Sequence, residues 1–141
     1  MLDQLLVWAD AGPAVRSTHR PLSVEEVLTL AQGELIGIGA HTVTHPALST
    51  LPATTQRSEI LTSKTHLEEI LGYRITSFAY PHGSMSAETV GIVREAGFAC
   101  ACSTVTDVVE PSTDHFQLPR VQVPDWNGKK FAKWLSRWFD G

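Results

Sequence analysis

Apolar residues recur along the chain at two spacings, and their alternation predicts the fold. Leu2, Leu5, Leu6 and Ala9 fall at helical spacing, and Gly12-Pro13 ends that element. A polar loop runs from Arg16 to Pro21. Ser23 then caps a helix, with Glu26 three residues on completing a capping box, Val27, Leu28 and Ala31 facing inward, and Gly33 at the close. The apolar run Leu35–Ala40 is too short for a helix and predicts a buried strand, whose Gly37 and Gly39 let another backbone or a ligand approach. Pro52 fits the first turn of the longest helix, whose stripe is Ile60, Leu61, Leu67, Ile70 and Leu71 and whose terminator is Gly72. A second strand, Ile75–Tyr80, stops at Pro81. Ser86 caps a helix holding Val90, Val93 and Ala96, and Gly97 closes it. Phe98–Cys102 reads as a third strand. A loop rich in Thr, Asp, Ser and Pro leads to a fourth around Leu118–Val123, and Asn127 caps a last helix with the stripe Phe131, Trp134, Leu135 and Trp138.

Strands separated by helices require crossover connections, so the expected class is α/β with parallel strands. Four strands make either a small open sheet or part of a barrel. No repeat, low-complexity tract or internal linker interrupts the pattern, and residues 1–141 are expected to form one domain.

Composition narrows the partners. With 141 residues, 43% apolar and 18% charged, the chain has the balance of a folded domain with a real core. A net charge of -4 without any block of lysine or arginine argues against a nucleic-acid partner. Cys100 and Cys102 share one face of the third strand and read as small core residues, not as a disulfide framework or a metal pair. No stretch approaches the roughly 20 apolar residues that span a bilayer. The start shows neither the basic residues nor the cleavage site of a signal peptide, which leaves the compartment open.

Candidate chemistry sits where the strands end. In His41-Thr42-Val43-Thr44-His45-Pro46, two histidines four apart can converge on one metal ion, as in zinc sites with imidazole ligands. The helical form of that spacing carries a glutamate after the first histidine; here Thr42 stands in its place, and Pro46 drives His45 out of helical dihedrals. The pair therefore belongs to a loop at the C-terminal end of the first strand, where parallel α/β folds gather ligands. Two ordinary polar loop histidines would give the same spacing. In Phe78-Ala79-Tyr80-Pro81-His82-Gly83, Pro81 fixes the backbone and Gly83 allows a sharp turn that can offer free amides and aromatic side chains to a ligand. An ordinary strand-to-helix turn would read alike. Arg120, after Leu118-Pro119, can bind a carboxylate or orient a catalytic acid, or simply lie on the surface.

In this order, the segments Leu35–Pro46, Ser77–Gly83, Glu88–Thr104 and Leu118–Val121 resemble the polysaccharide deacetylase family, also called the NodB-homology domain or carbohydrate esterase family 4. The likeness runs from about residue 20 to residue 140. It implies a distorted or partial (β/α) barrel and metal-dependent removal of N- or O-acetyl groups from an acetylated polysaccharide or oligosaccharide. It assigns a divalent metal, usually zinc, to His41 and His45, and an oxyanion-binding backbone amide to His82, with Tyr80 and Pro81 in the substrate-binding turn. The family's Thr-Phe-Asp-Asp-Gly motif, source of the third metal ligand and the catalytic base, has no counterpart in the chain and is expected upstream of Met1. Ala79 stands where the family often has arginine and His82 where it commonly has tyrosine. The family's late general-acid histidine has no clear match, and Asp125-Trp126 comes too late in the order to stand for the fourth motif. The expectation is thus a deacetylase domain that is inert as this chain alone and self-associates through an incomplete sheet. The rival from another class is a non-catalytic carbohydrate-binding module in which Tyr80 and Trp126 stack on sugar rings. A small flavodoxin-like domain is disfavoured because no phosphate-binding glycine loop follows a first strand.

Overall fold

A computed structural model of the chain describes Trp8, residues 20–33 and residues 35–137. The expected first helix, Leu2 to Ala9, lies outside the described residues apart from Trp8, and so does Trp138 of the last stripe. The chain divides into two compact units, Met1–Gly37 and Ile38–Gly141, which are taken in turn.

In the first unit, helix α1 spans Val24–Ala31 and starts as its sequence predicts. Ser23 Oγ accepts from the Glu26 amide, and the Glu26 carboxylate accepts from the Ser23 amide at 2.7 Å. The same carboxylate takes two hydrogen bonds of 2.7 Å from the Arg20 guanidinium. Val27, Leu30 and Ala31 form the half-buried stripe, whereas Leu28, about 100° round the helix from Val27, is exposed rather than inward.

The second unit is built on parallel strands. Strand β1, Ser77–Ala79, pairs in parallel with β2, Cys100–Cys102, in the register Ser77–Cys100, Phe78–Ala101 and Ala79–Cys102. Single parallel bridges extend this pair, from Ala40 to Phe78 on one side and from Cys102 to Leu118 on the other. All four expected strands are thus represented, but the outer two are each reduced to one bridged residue. The predicted run Leu35–Ala40 pairs only at Ala40: Leu35 is almost fully exposed, and glycines at 37 and 39 give a strand no side chains to pack. Gly39 has a more particular task. A Cβ there would stand 2.6 Å from Ser77 Oγ and 3.2 Å from Ser77 O, so the backbone lies closer to β1 than any side chain permits.

Between these strands, helix α2 spans Ala53–Leu71 and α3 spans Ala87–Glu95. Pro52 holds the N-cap of α2 in extended backbone, one residue before the helix proper. Gly72 ends it in the left-handed conformation at φ 73°. The buried face of α2 is not the simple apolar stripe that the sequence predicts: Ile60 is buried with Gln56, Ser63 and Lys64, while Leu61 is exposed. Lys64 tolerates this because its amine pairs with Glu68 and lies 5.4 Å from the centre of the Phe98 ring. Ser86 caps α3, its hydroxyl accepting from the Thr89 amide. The core joins Ala40, Leu48, Ile60, Ile75, Phe78, Tyr80, Val90, Ile92, Val93, Phe98 and Ala101. Cys100 and Cys102 are free and half-buried on one face of β2, and burial pushes the Cys100 thiol up from its ordinary range. A last helix, α4, spans Gly128–Ser136 with Asn127 Oδ1 accepting from the Lys130 amide, and no residue of it is buried.

Two outcomes test this account. Gly39→Ala is expected to destabilise the protein by about 1–3 kcal/mol, the usual cost of overpacking. Ser77→Ala should recover part of that loss by removing the Oγ contact, leaving the one to Ser77 O. Thermal melts of the three variants decide it, and simple additivity would show that Gly39 and Ser77 do not press on each other. The second concerns Glu26, whose carboxyl the Arg20 guanidinium, and after it the Ser23 amide, hold down at about 2 against an ordinary 4.5. A depressed carboxylate gives stability that is complete above the unfolded value and lost as the pH falls through the folded one. Capping of α1 should therefore persist below pH 4.5 and fail near pH 2. Carboxyl carbon shifts of Glu26 measure this directly, and Arg20→Gln should bring the midpoint back towards 4.5.

Candidate active site

Three histidines meet at the C-terminal end of the parallel strands. Ala40 donates its amide to Ser77 O at 2.9 Å and accepts from the Ala79 amide at 3.0 Å, so His41 leaves the sheet beside the end of β1. There its Nδ1 donates to Ala79 O at 2.7 Å. A carbonyl can only accept, so Nδ1 carries a proton, and in the neutral ring the lone pair that remains for a ligand is on Nε2. The chain then folds back through Thr42 and His45, both left-handed at φ 64° and 59°. Thr42 Oγ1 accepts from the His45 amide at 3.1 Å. The result brings the His41 and His45 rings edge to face, with centroids 4.8 Å apart.

The turn after β1 supplies the third ring. Pro81–Gly83 form a short 3-10 turn in which His82 is left-handed at φ 57°, and its ring stands 4.5 Å from that of His45. Gly83, at φ 67°, would drive a Cβ to 2.0 Å from Thr104 Oγ1, so only glycine fits between this turn and the segment after β2. A hydroxyl pair, Ser49 and Ser84 at 2.7 Å, ties the histidine loop to this turn. Non-glycine residues at positive φ each cost about 1–3 kcal/mol. Three of them, Thr42, His45 and His82, occur within this one cluster.

The remaining sequence candidates are placed differently. Tyr80 is buried, its hydroxyl donating to Phe116 O at 2.9 Å, and burial pushes that phenol well above its ordinary value. Pro81 is buried beside it. Neither side chain is offered to a ligand, so Tyr80 is not available for the sugar stacking that a binding module would want. The His82 amide has no acceptor among the described residues. Arg120 donates Nε to Ser103 O at 2.9 Å and lines a cavity of about 350 Å³ with Ser103, Thr104, Thr106, Val121 and Gln122. That cavity adjoins the His82 turn through Thr104, which packs on Gly83.

Sequence reasoning misses Glu59, on α2. Its carboxylate accepts from the Val43 amide at 2.8 Å, the Thr44 amide at 2.9 Å and Thr44 Oγ1 at 2.8 Å. Burial pushes this carboxyl up, but the bonds from Thr44 and Val43 outweigh it and hold it below its ordinary value. Nothing in a helical glutamate marks it for this task, since its partners lie fifteen residues back in a loop.

Two imidazoles sharing one tetrahedral ion, with metal–nitrogen bonds of about 2.0–2.1 Å, hold their ring centres roughly 5 Å apart. The His41–His45 spacing of 4.8 Å and the lone pair left on His41 Nε2 fit that role. Among the described residues no set of three histidine, cysteine or carboxylate side chains converges for a metal, so these residues fit as two ligands of such a site and not as all of them.

Comparison with known proteins bears on the family and the fold. The family model described as polysaccharide deacetylase matches residues 11–101, more than half of the chain. No curated protein matches. Among solved structures, the fold is similar to that of the Streptococcus pyogenes deacetylase PplD in complex with acetate, at a TM-score of 0.71 and 20% identity over 83% of this chain and 52% of that one. BC0361, a polysaccharide deacetylase from Bacillus cereus, gives 0.69 and 22% over 83% of this chain and 37% of its own. IcaB from Ammonifex degensii gives 0.71 and 22% over 93% and 64%. The chain spans less than two thirds of each of these proteins. At such identities the likeness is one of fold, an α/β fold of parallel strands and helices of the deacetylase barrel type. Together with the family match, it shows that the chain belongs to the polysaccharide deacetylase family.

Proposed function

We propose that this chain carries part of the active site of a metal-dependent deacetylase that hydrolyses N- or O-acetyl groups on a polysaccharide or oligosaccharide. The observation that carries the reading is the convergence of His41 and His45, with the His41 proton fixed on Nδ1 by Ala79 O. Both rings are proposed as ligands to a divalent ion, with zinc the expected metal for an imidazole set. Such an ion, when bound, polarises an acetyl carbonyl and acidifies a water molecule.

The chain's own groups then have separate tasks. Ala79 O holds the His41 ring in one tautomer and one orientation, the usual service of a carbonyl behind a metal-binding imidazole. The His82 amide, held in a strained turn with no acceptor among the described residues, is a preorganised donor for the oxyanion that develops as water adds to the acetyl carbon. Arg120, its guanidinium anchored on Ser103 O, is proposed to orient a carboxylate at the neighbouring cavity. A catalytic base and a third ligand are still required, and the described residues provide no convergent carboxylate. Two imidazoles alone bind a divalent ion weakly, so this chain by itself is proposed to be inert.

Calorimetric titration of zinc or cobalt into the chain tests the ligand assignment. Weak binding is expected, and His41→Ala or His45→Ala should cost more than the roughly 10–100-fold that a change behind the ligands costs. Binding indifferent to both substitutions would remove the metal reading. Acetate release from acetylated chito-oligosaccharides should be undetectable with either metal. Turnover that His41→Ala abolishes would show that a carboxylate, from this chain or a second copy, completes the site.

A further inference from the structure

The loop between the two histidines encloses an anion site, and the chain fills it with its own carboxylate. With Thr42 left-handed, the successive amides of Val43 and Thr44 point into one concavity, the kind of backbone nest that binds anions. Both amides donate to the same oxygen, Glu59 Oε2, while Thr44 Oγ1 donates to Oε1. Among the described residues Glu59 forms no ion pair, so these loop donors are its whole hydrogen-bonding environment. Thr42 Oγ1 in turn accepts from the His45 amide, so the backbone from residue 42 to residue 45 is closed on two acceptors. His41 is fixed independently by Ala79 O; His45 has no comparable side-chain anchor among the described residues and depends on the loop for its place.

We propose that Glu59 is a positioning residue, whose carboxylate holds the Thr42–Thr44 turn so that the His45 ring faces that of His41. The assignment rests on the reading of these two rings as metal ligands, and the test separates the two. Glu59→Ala removes the acceptor. Glu59→Gln keeps one acceptor oxygen but turns an amide group towards the remaining loop donor. In the metal-free chain, the ring-to-ring nuclear Overhauser contact between His41 and His45 should vanish in Glu59→Ala and weaken in Glu59→Gln. Amide exchange of Val43 and Thr44 should accelerate in both. Cobalt affinity should fall by about 10–100-fold in Glu59→Ala and by less in Glu59→Gln. Circular dichroism checks that each variant keeps its helices, and Glu59→Gln carries the test if the alanine variant does not fold. A ring contact that survives in folded variants, with only the melting temperature lowered, would make Glu59 a structural residue and overturn the proposal. A wild-type chain that takes up no cobalt would remove the metal reading, while the ring contact and the amide exchange still decide whether Glu59 places His45.

Discussion

The site depends on how closely the backbone at Ala40 approaches β1. Among the described residues, two hydrogen bonds, Ala40 to Ser77 O and the Ala79 amide to Ala40 O, join this segment to the sheet as a strand. They are short-range bonds, and Gly39 is what lets them form, because a side chain there would collide with Ser77. Once they are made, His41 stands next to the Ala79 carbonyl without further choice. One ring is thereby given its tautomer and its direction by the end of a strand, in agreement with the general tendency of parallel sheets to gather function at their C-terminal edge.

From that fixed ring outward, the structure spends conformational strain to bring the others in. Thr42, His45 and His82 are all left-handed, and none is glycine. Such conformations persist only where surrounding bonds over-determine them. Here the bonds can be named: Glu59 on the loop amides, Thr42 Oγ1 on the His45 amide, Ser49 against Ser84, and Gly83 pressed against Thr104. The Glu59 and Thr104 contacts join the cluster to α2 and to the segment after β2, while the Thr42–His45 and Ser49–Ser84 bonds close it on itself. The cluster is therefore held both by the surrounding fold and by its own side chains.

This explains what could be read from the sequence and what could not. The helices were legible from their ends, because Ser23, Ser86, Asn127 and Gly72 act through bonds within a few residues of themselves. The strands were legible in place but not in extent: Ala40 and Leu118 each pair at one residue, and in the first run the exposed Leu35 and the glycines at 37 and 39 leave little to pack. The face of α2 was misread at Leu61 because Gln56 and Lys64 are buried by contacts that no periodicity carries: Gln56 Nε2 donates to Leu51 O, and Lys64 meets Glu68 and Phe98. Among the site residues, His41 and His45 follow from spacing. The His82 ring beside them does not, since thirty-six residues, a crossover helix among them, lie between His45 and His82.

Tyr80 shows why a motif must be divided into its atoms before it is given a task. The turn Tyr80-Pro81-His82-Gly83 reads as a ligand-facing unit, yet Tyr80 and Pro81 are buried while His82 is exposed. Tyr80 anchors inward, through Phe116 O, in the same core as Phe78. Pro81 is buried with it. Only then does the backbone reverse through His82 and Gly83 and present an imidazole and an amide beside His45. The aromatic residue and the proline make the turn rigid, and the rigidity keeps the strained His82 in place. A substitution at Tyr80 would thus act on the histidine cluster through the position of the turn, by loosening its anchor, and not through lost contact with a sugar.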